Sequence, residues 1–352
     1  MPTILASQLA RRRLSIASRR LGTQNPIDTI GGLIDRSFDL PAGDARYGNN
    51  ALAPGSMPIE HSFSETAAGA LRLDMEPLGP QASPAARQQE VSREMRRLVQ
   101  QNYGRAALQW FDERSEPWRG SRLHGGARFG AWFGAGFDEG GLQEAKAYYE
   151  VGPDGDLDFL PPNLQHAARV AMACLPRLRP IFTSVACGRA QGAQRIYFFH
   201  RGDLRLLDLE PLMNRLGIGH QLPGLLTAVG LILGGRFTLP EGSVVIALRD
   251  TPRGMEMKLE LLLSAIADPP REMHGLIQMH LAQRPESQRA LRNWIQAMSL
   301  DEGAATCGDI SVVSTRVTPQ LGSRLTLYFR PTGYDRAPSR TREVKVDPYA
   351  MA

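Results

Sequence analysis

Five short stretches of the chain share one spacing: Arg72-Leu73-Asp74, Lys146-Ala147-Tyr148, Arg195-Ile196-Tyr197, Lys258-Leu259-Glu260 and Thr326-Leu327-Tyr328. On a β-strand, residues two apart project from the same face. Each stretch would therefore set a cation or hydroxyl beside a tyrosine or carboxylate. The lysines are conspicuous, because Lys146, Lys258 and Lys345 are the only ones among 41 basic residues. Several cations gathered in a shielded space need an anion, since unpaired buried charge is costly. A diphosphate ester fits, being compact, multiply charged and well matched to arginine forks and lysine point charges. Tyrosine rings beside it could stabilise a carbocation by roughly 0.5–2 kcal/mol each. The combination suits an allylic diphosphate that ionises and passes its cation to a nucleophile. Glu60, in "PIEHSFSE", shares a strand face with Ser62 and Ser64. It is a candidate general base for the proton that such an acceptor must lose.

Positioning these residues takes strands that present one polar face to a common interior. Alternation and turn chemistry predict five hairpins, over 57–63 with 70–77, 127–136 with 142–151, 181–187 with 194–200, 243–249 with 255–263, and 309–316 with 323–331. Helical stretches follow four of them: from Ser83, with Pro84 at its first position, and over 104–114; over 163–175; over 204–216 and 221–233; and over 270–282 and 286–299. Ten antiparallel strands exceed what a strongly twisted open sheet usually carries, and closure removes the edges. The expected fold is α+β, a single ten-stranded antiparallel β-barrel with a solvent-filled lumen surrounded by α-helices. Helices would cover its apolar outer face, and the polar residues would point inward. The barrel is expected over 56–335. A partly ordered lead-in (1–55), holding one short helix near 27–36, would precede it, and 336–352 would form a tail or lid.

Composition narrows the classes. The net charge of +5 and pI near 9.3 are mildly basic, but the arginines are interspersed with 36 acids, so no nucleic-acid partner is expected. The one dense basic run, "RRRLSIASRR" (11–20), reads as a frayed tail. Cys174, Cys187 and Cys307 are odd in number and far apart, which fits a reducing, cytoplasmic setting without a disulfide framework. The longest apolar stretch, 222–235, is interrupted by glycines and falls short of the roughly 20 residues that span a bilayer; no membrane partner is expected. "DGDLD" (154–158) lacks the glycine and the closing glutamate of a calcium loop. The histidines lack zinc spacing, and no P-loop, dinucleotide fingerprint or G-x-S-x-G occurs.

"PIEHSFSE…ALRLDMEP" resembles the opening pattern P-x-E-x-S…R-x-x-x-E-P of the dimethylallyltryptophan-synthase-type aromatic prenyltransferases, and "EAKAYYEV" resembles their second-repeat K-x-Y. These enzymes have the αββα (ABBA) barrel, which related bacterial peptide prenyltransferases share. The resemblance covers about 57–331. It implies transfer of a dimethylallyl or geranyl group from the diphosphate to an electron-rich acceptor, with Mg²⁺ not essential and no cofactor; the absence of a D-D-x-x-D motif agrees. By the same resemblance Glu60 is the base, Arg72, Lys146, Arg195 and Lys258 bind diphosphate, and Tyr148, Tyr197 and Tyr328 shield the cation. The chain departs from the pattern at Ala193, where an arginine is expected, at Glu260, where a tyrosine is expected, and at Thr326, where a basic or polar partner is expected. Either the diphosphate is held differently here, or a cationic acceptor pairs with Glu260.

The acceptor stays open: an indole or tryptophan, another aromatic, or a side chain of a ribosomal peptide. In "WFGAGF", Trp132 reads as a stacking wall of the acceptor pocket, with glycines leaving room beside it. A monomer or homodimer is expected. A non-catalytic barrel that binds an anionic ligand is the alternative of a different class.

Overall fold

The computed structural model describes residues 4–120, 123, 125–152, 157–299 and 307–331; the expected tail or lid at 336–352 lies outside them. Each predicted hairpin is present: β1 (Ile59–Ser64) with β2 (Leu71–Met75), β3 (Ala131–Asp138) with β4 (Gly141–Glu150), β5 (Leu178–Gly188) with β6 (Gly192–His200), β9 (Val244–Thr251) with β10 (Gly254–Leu262), and β11 (Gly308–Val317) with β12 (Arg324–Pro331). A separate two-stranded sheet, β7 (Leu204–Arg205) with β8 (Thr238–Leu239), lies between the third and fourth hairpins in sequence. The ten hairpin strands close into an antiparallel barrel in the order β1-β12-β11-β10-β9-β6-β5-β4-β3-β2. The seam pairs Ser62 of β1 with Tyr328 of β12. Alternation sets the two faces: on β2, Leu71, Leu73 and Met75 are buried outward, while Arg72 and Asp74 between them are only half-buried. The third hairpin starts earlier than the alternation predicts, because a bulge between Pro180 and Phe182 lets β5 continue past the proline.

The helices are α1 (Ala6–Leu21), α2 (Ile27–Ser37), α3 (Pro84–Gly120), α4 (Pro162–Cys174), α5 (Glu210–Arg215), α6 (Leu222–Ile232), α7 (Met273–Leu281) and α8 (Pro285–Met298). Ser83 caps α3 as expected, its Oγ accepting from the Ala86 N–H at 3.2 Å. Val91, Met95 and Leu98 of α3 are fully buried against the outer face of the sheet. The predicted second helix at 104–114 continues α3 across a break at Gly104, whose φ of 84° leaves helical space. Only 210–215 of the expected helix at 204–216 is α-helical, the start being β7 and a short 3-10 turn.

The lead-in differs from its reading. The basic run lies on α1, whose Ala6, Ala10, Leu14 and Ala17 are buried. Arg13 is 3% exposed and donates to the carbonyls of Met298 and Cys307, both at 3.3 Å. The apolar residues recur at helical spacing, but five arginines in ten positions mask them.

Gly130 fixes the entry into β3. Its φ is +70°, and a Cβ there would lie 1.9 Å from the Pro84 carbonyl oxygen. The Glu150 carboxylate accepts from the backbone N–H groups of Arg128, Phe129 and Gly130. Gly130→Ala should therefore lower the thermal midpoint by several degrees through left-handed strain and overlap, a cost of about 2–4 kcal/mol, readable by calorimetry.

Candidate active site

The barrel interior divides into a polar cavity and an aromatic pile. The cavity has a volume of about 100 Å³; Arg72, Lys146, Arg195, Lys258, Tyr148, Tyr197 and Tyr328 line it together. These seven sequence-predicted residues come from β2, β4, β6, β10 and β12, so each hairpin contributes the face that its alternation predicted. Thr326 lines the same space and donates to Ser64 Oγ at 3.2 Å.

Glu60 lies on β1 opposite Asp74 of β2 and is 5% exposed. Ser311 Oγ donates to its Oε1 at 2.6 Å. Burial pushes its carboxyl up to about 7, with Asp74 and Glu260 adding to the rise, while Ser311 and Arg330 oppose it. A group with that affinity is divided between acid and base near neutrality, which is where a general base works well. Tyr148 donates to Asp74 Oδ1 at 3.1 Å, and burial raises the Asp74 pKa against the pull of Lys146 and Arg72.

The cations do not stand alone. Lys146 Nζ pairs with Glu144 at 2.7 Å. Burial lowers the Lys146 pKa to about 8 although Glu144 opposes the fall. Glu144 falls to about 2 despite its burial, because Lys146 and Arg72 favour its charged form. Lys258 Nζ binds Glu260 at 2.5 Å and the Tyr328 hydroxyl at 2.7 Å, and it also lies over the Tyr328 ring, 5.0 Å from the centroid. Arg195 bonds to Glu256 and, at 3.4 Å, to the Tyr197 hydroxyl. The Nε–H groups of Arg72, Arg195 and Arg249 are buried without a partner, although all three residues line the cavity. Buried donors left unsatisfied cost about 1–3 kcal/mol each.

Trp132 is placed differently from its reading. It lies in the aromatic pile, stacked on Phe129 at 3.9 Å between centroids and edge-on to Phe182 at 5.3 Å. Its Nε1 donates to Glu76 at 3.1 Å, and Glu76 pairs with Arg87 at 3.2 Å. It does not line the cavity. Tyr148 and Tyr197 belong to both regions. The glycines beside Trp132 do matter: a Cβ on Gly134 would lie 2.2 Å from Asp74 Oδ1 and 3.1 Å from the Tyr148 ring. Gly134→Ala should therefore displace Asp74 and Tyr148 and reduce turnover roughly ten- to hundredfold, measured as kcat alongside a thermal-melting control.

Sequence reasoning passed over Glu144, Arg249, Glu256, Ser311 and Arg316. Arg249 and Arg316 line the cavity, and each reaches Glu256, at 2.6 Å and 3.6 Å. For two of the five, Glu256 and Glu144, a two-residue offset from a named lumen position was available as a signal. Glu256 precedes Lys258 by two, and Glu144 precedes Lys146 by two.

No protein-family model matches the chain, and no curated protein matches it. Solved structures do. PriB in its apo form superposes with a TM-score of 0.69 at 17% identity, over 94% of this chain and 98% of that one. 5-Dimethylallyltryptophan synthase from Streptomyces coelicolor gives 0.70 at 15%, over 95% and 99%. AnaPT from Neosartorya fischeri gives 0.67 at 14%, over 96% of each chain. The fold is the prenyltransferase barrel. The motif resemblance and the superpositions thus agree on the architecture, and that architecture places the five-stretch series around one prenyltransferase-barrel lumen. None of the barrel's helices, among the described residues, is long and apolar enough to cross a membrane.

Proposed function

We propose that the protein transfers a prenyl group from an allylic diphosphate to an aromatic acceptor, with an indole such as tryptophan the preferred class. The observation that carries this reading is the joint placement of four predicted cations and three tyrosines around one cavity, with a buried carboxyl held near 7 in the same lumen. Structural neighbours support it: PriB forms a ternary complex with L-tryptophan and dimethylallyl thiolodiphosphate, and the Streptomyces coelicolor synthase binds DMASPP and Trp.

The allylic C–O bond breaks and its electron pair leaves with the diphosphate, whose developing charge Arg72, Lys146, Arg195 and Lys258 stabilise. Tyr148, Tyr197 and Tyr328 face the resulting cation, and the closed barrel limits water that would quench it. A ring carbon of the acceptor forms the new C–C bond, and the proton lost on rearomatisation passes to Glu60. Counter-charge for the leaving group comes from side chains, so the reaction is expected to proceed without Mg²⁺.

Glu260 is engaged by Lys258, which favours a role in orienting that lysine over pairing with a cationic acceptor. Mass spectrometry of reactions containing C5, C10 and C15 diphosphates against indoles, phenols and peptides, with and without EDTA, tests the proposal. A prenylated indole formed equally well in EDTA is expected. A strict Mg²⁺ requirement would remove the metal-independent mechanism, and a peptide-only product would reassign the acceptor.

A further inference from the structure

Three arginines converge on one carboxylate at the cavity wall. Glu256 of β10 is 2% exposed. Its Oε1 accepts from Arg195 of β6, and its Oε2 accepts from Arg249 of β9 at 2.6 Å, with Arg316 of β11 at 3.6 Å. Backbone register builds the cluster: Arg195 lies opposite Arg249, and Arg249 lies opposite Glu256. Three guanidiniums around a single carboxylate leave an excess of positive charge in this cluster. Burial opposes the ionisation of Glu256, yet the arginines hold its pKa down to about 2, so it stays charged.

Beside this cluster the wall is bare. Ala193 and Ala186 face each other across β6 and β5 and line the cavity with their methyl groups. The arginines and these two alanines line one continuous cavity. The Nε–H groups of Arg195 and Arg249 are buried without partners. An arginine fork matches phosphate oxygens in two-point geometry, and two forks from adjacent strands, aligned by one carboxylate, suit a terminal phosphate.

We infer that Arg249 is a donor-binding residue that acts with Arg195 on the diphosphate in the space left by Ala186 and Ala193, and that Glu256 is the positioning residue that aligns both forks. The inference rests on the prenyl-transfer reading for the identity of the anion, but its test does not require turnover.

Inorganic pyrophosphate is titrated calorimetrically into the full chain and its variants at one ionic strength. Arg249→Met should weaken binding roughly ten- to hundredfold, as loss of one or two charge-assisted hydrogen bonds would, and Arg249→Lys should recover part of it. Arg253→Met, at an exposed cation on the turn of the same hairpin, should bind as the unmodified protein does, which separates direct contact from the general field. In turnover, Arg249→Met should raise the donor KM and leave the acceptor KM unchanged. Glu256→Gln should weaken pyrophosphate binding even though it adds net positive charge to the cavity. Unchanged affinity in Arg249→Met, with pyrophosphate still bound by the unmodified protein, would overturn the inference and leave prenyl transfer standing. Tighter binding in Glu256→Gln would overturn the positioning role. Failure of the unmodified protein to bind pyrophosphate at all would overturn the inference together with the prenyl-transfer reading.

Discussion

Glu60→Gln should lower kcat with every acceptor by roughly a hundred- to ten-thousandfold, the range removed with a general base, while pyrophosphate affinity stays near that of the unmodified protein. The amide keeps the size of the carboxyl and can still accept from Ser311, now at 2.6 Å from Oε1, so the fold should survive. The pH dependence follows from burial. Because the folded carboxyl sits at about 7, activity should rise with pH through that region as the base ionises, and the variant should lose this limb. Stability should run the other way. A carboxyl whose folded pKa exceeds its unfolded one favours the native state fully below about 4.5, and that contribution is lost as pH rises through about 7. Glu60→Gln should thus be more stable than the unmodified protein at pH 8, by an amount on the order of 3 kcal/mol at most. Melting curves at pH 5 and pH 8 check the sign. A variant that retains turnover and its pH limb would take the base role from Glu60.

Lys146→Met has the second large effect. The lysine is one of the cavity's cations, and Glu144 holds it at 2.7 Å. Its removal deprives the diphosphate of a point charge and leaves Glu144 beside the incoming anion, so both consequences act against donor binding. The donor KM should rise at least roughly tenfold and kcat should fall at least roughly a hundredfold. The double variant Lys146→Met/Glu144→Gln should recover part of the loss in donor affinity, because the uncompensated carboxylate is gone. Steady-state kinetics with the donor varied at saturating acceptor measures both constants. Undiminished activity in Lys146→Met would place this lysine outside the donor site.

Much of this site was legible because strands have a strict period. Rare lysines at 146 and 258 and tyrosines at 148, 197 and 328 mark the inward phase on three β-strands and a fourth, and hairpin turns supply the count of staves. What escaped lies where that logic is weakest. Arg249 and Glu256 flank the turn "DTPRG", where charged residues ordinarily signify solvent, yet cross-strand register sets Arg195 and Arg249 beside Glu256, and Arg316 approaches the same carboxylate. Trp132 looked like an open wall because its covers, Phe129 before β3 and Phe182 on β5, come from separate segments. The first helix was hidden by composition: arginines that read as a loose basic tail carry an apolar stripe that packs on α2 and α8.

The central claim is that one lumen ionises an allylic diphosphate and hands the cation to an aromatic ring. The most direct measurement follows inorganic pyrophosphate release from dimethylallyl diphosphate with and without L-tryptophan or another indole, alongside the mass of the acceptor. Acceptor-dependent release matched one for one by prenylated indole is the expected result. Pyrophosphate binding without release or product, across donors and acceptors, would contradict it and leave a barrel that only binds anions.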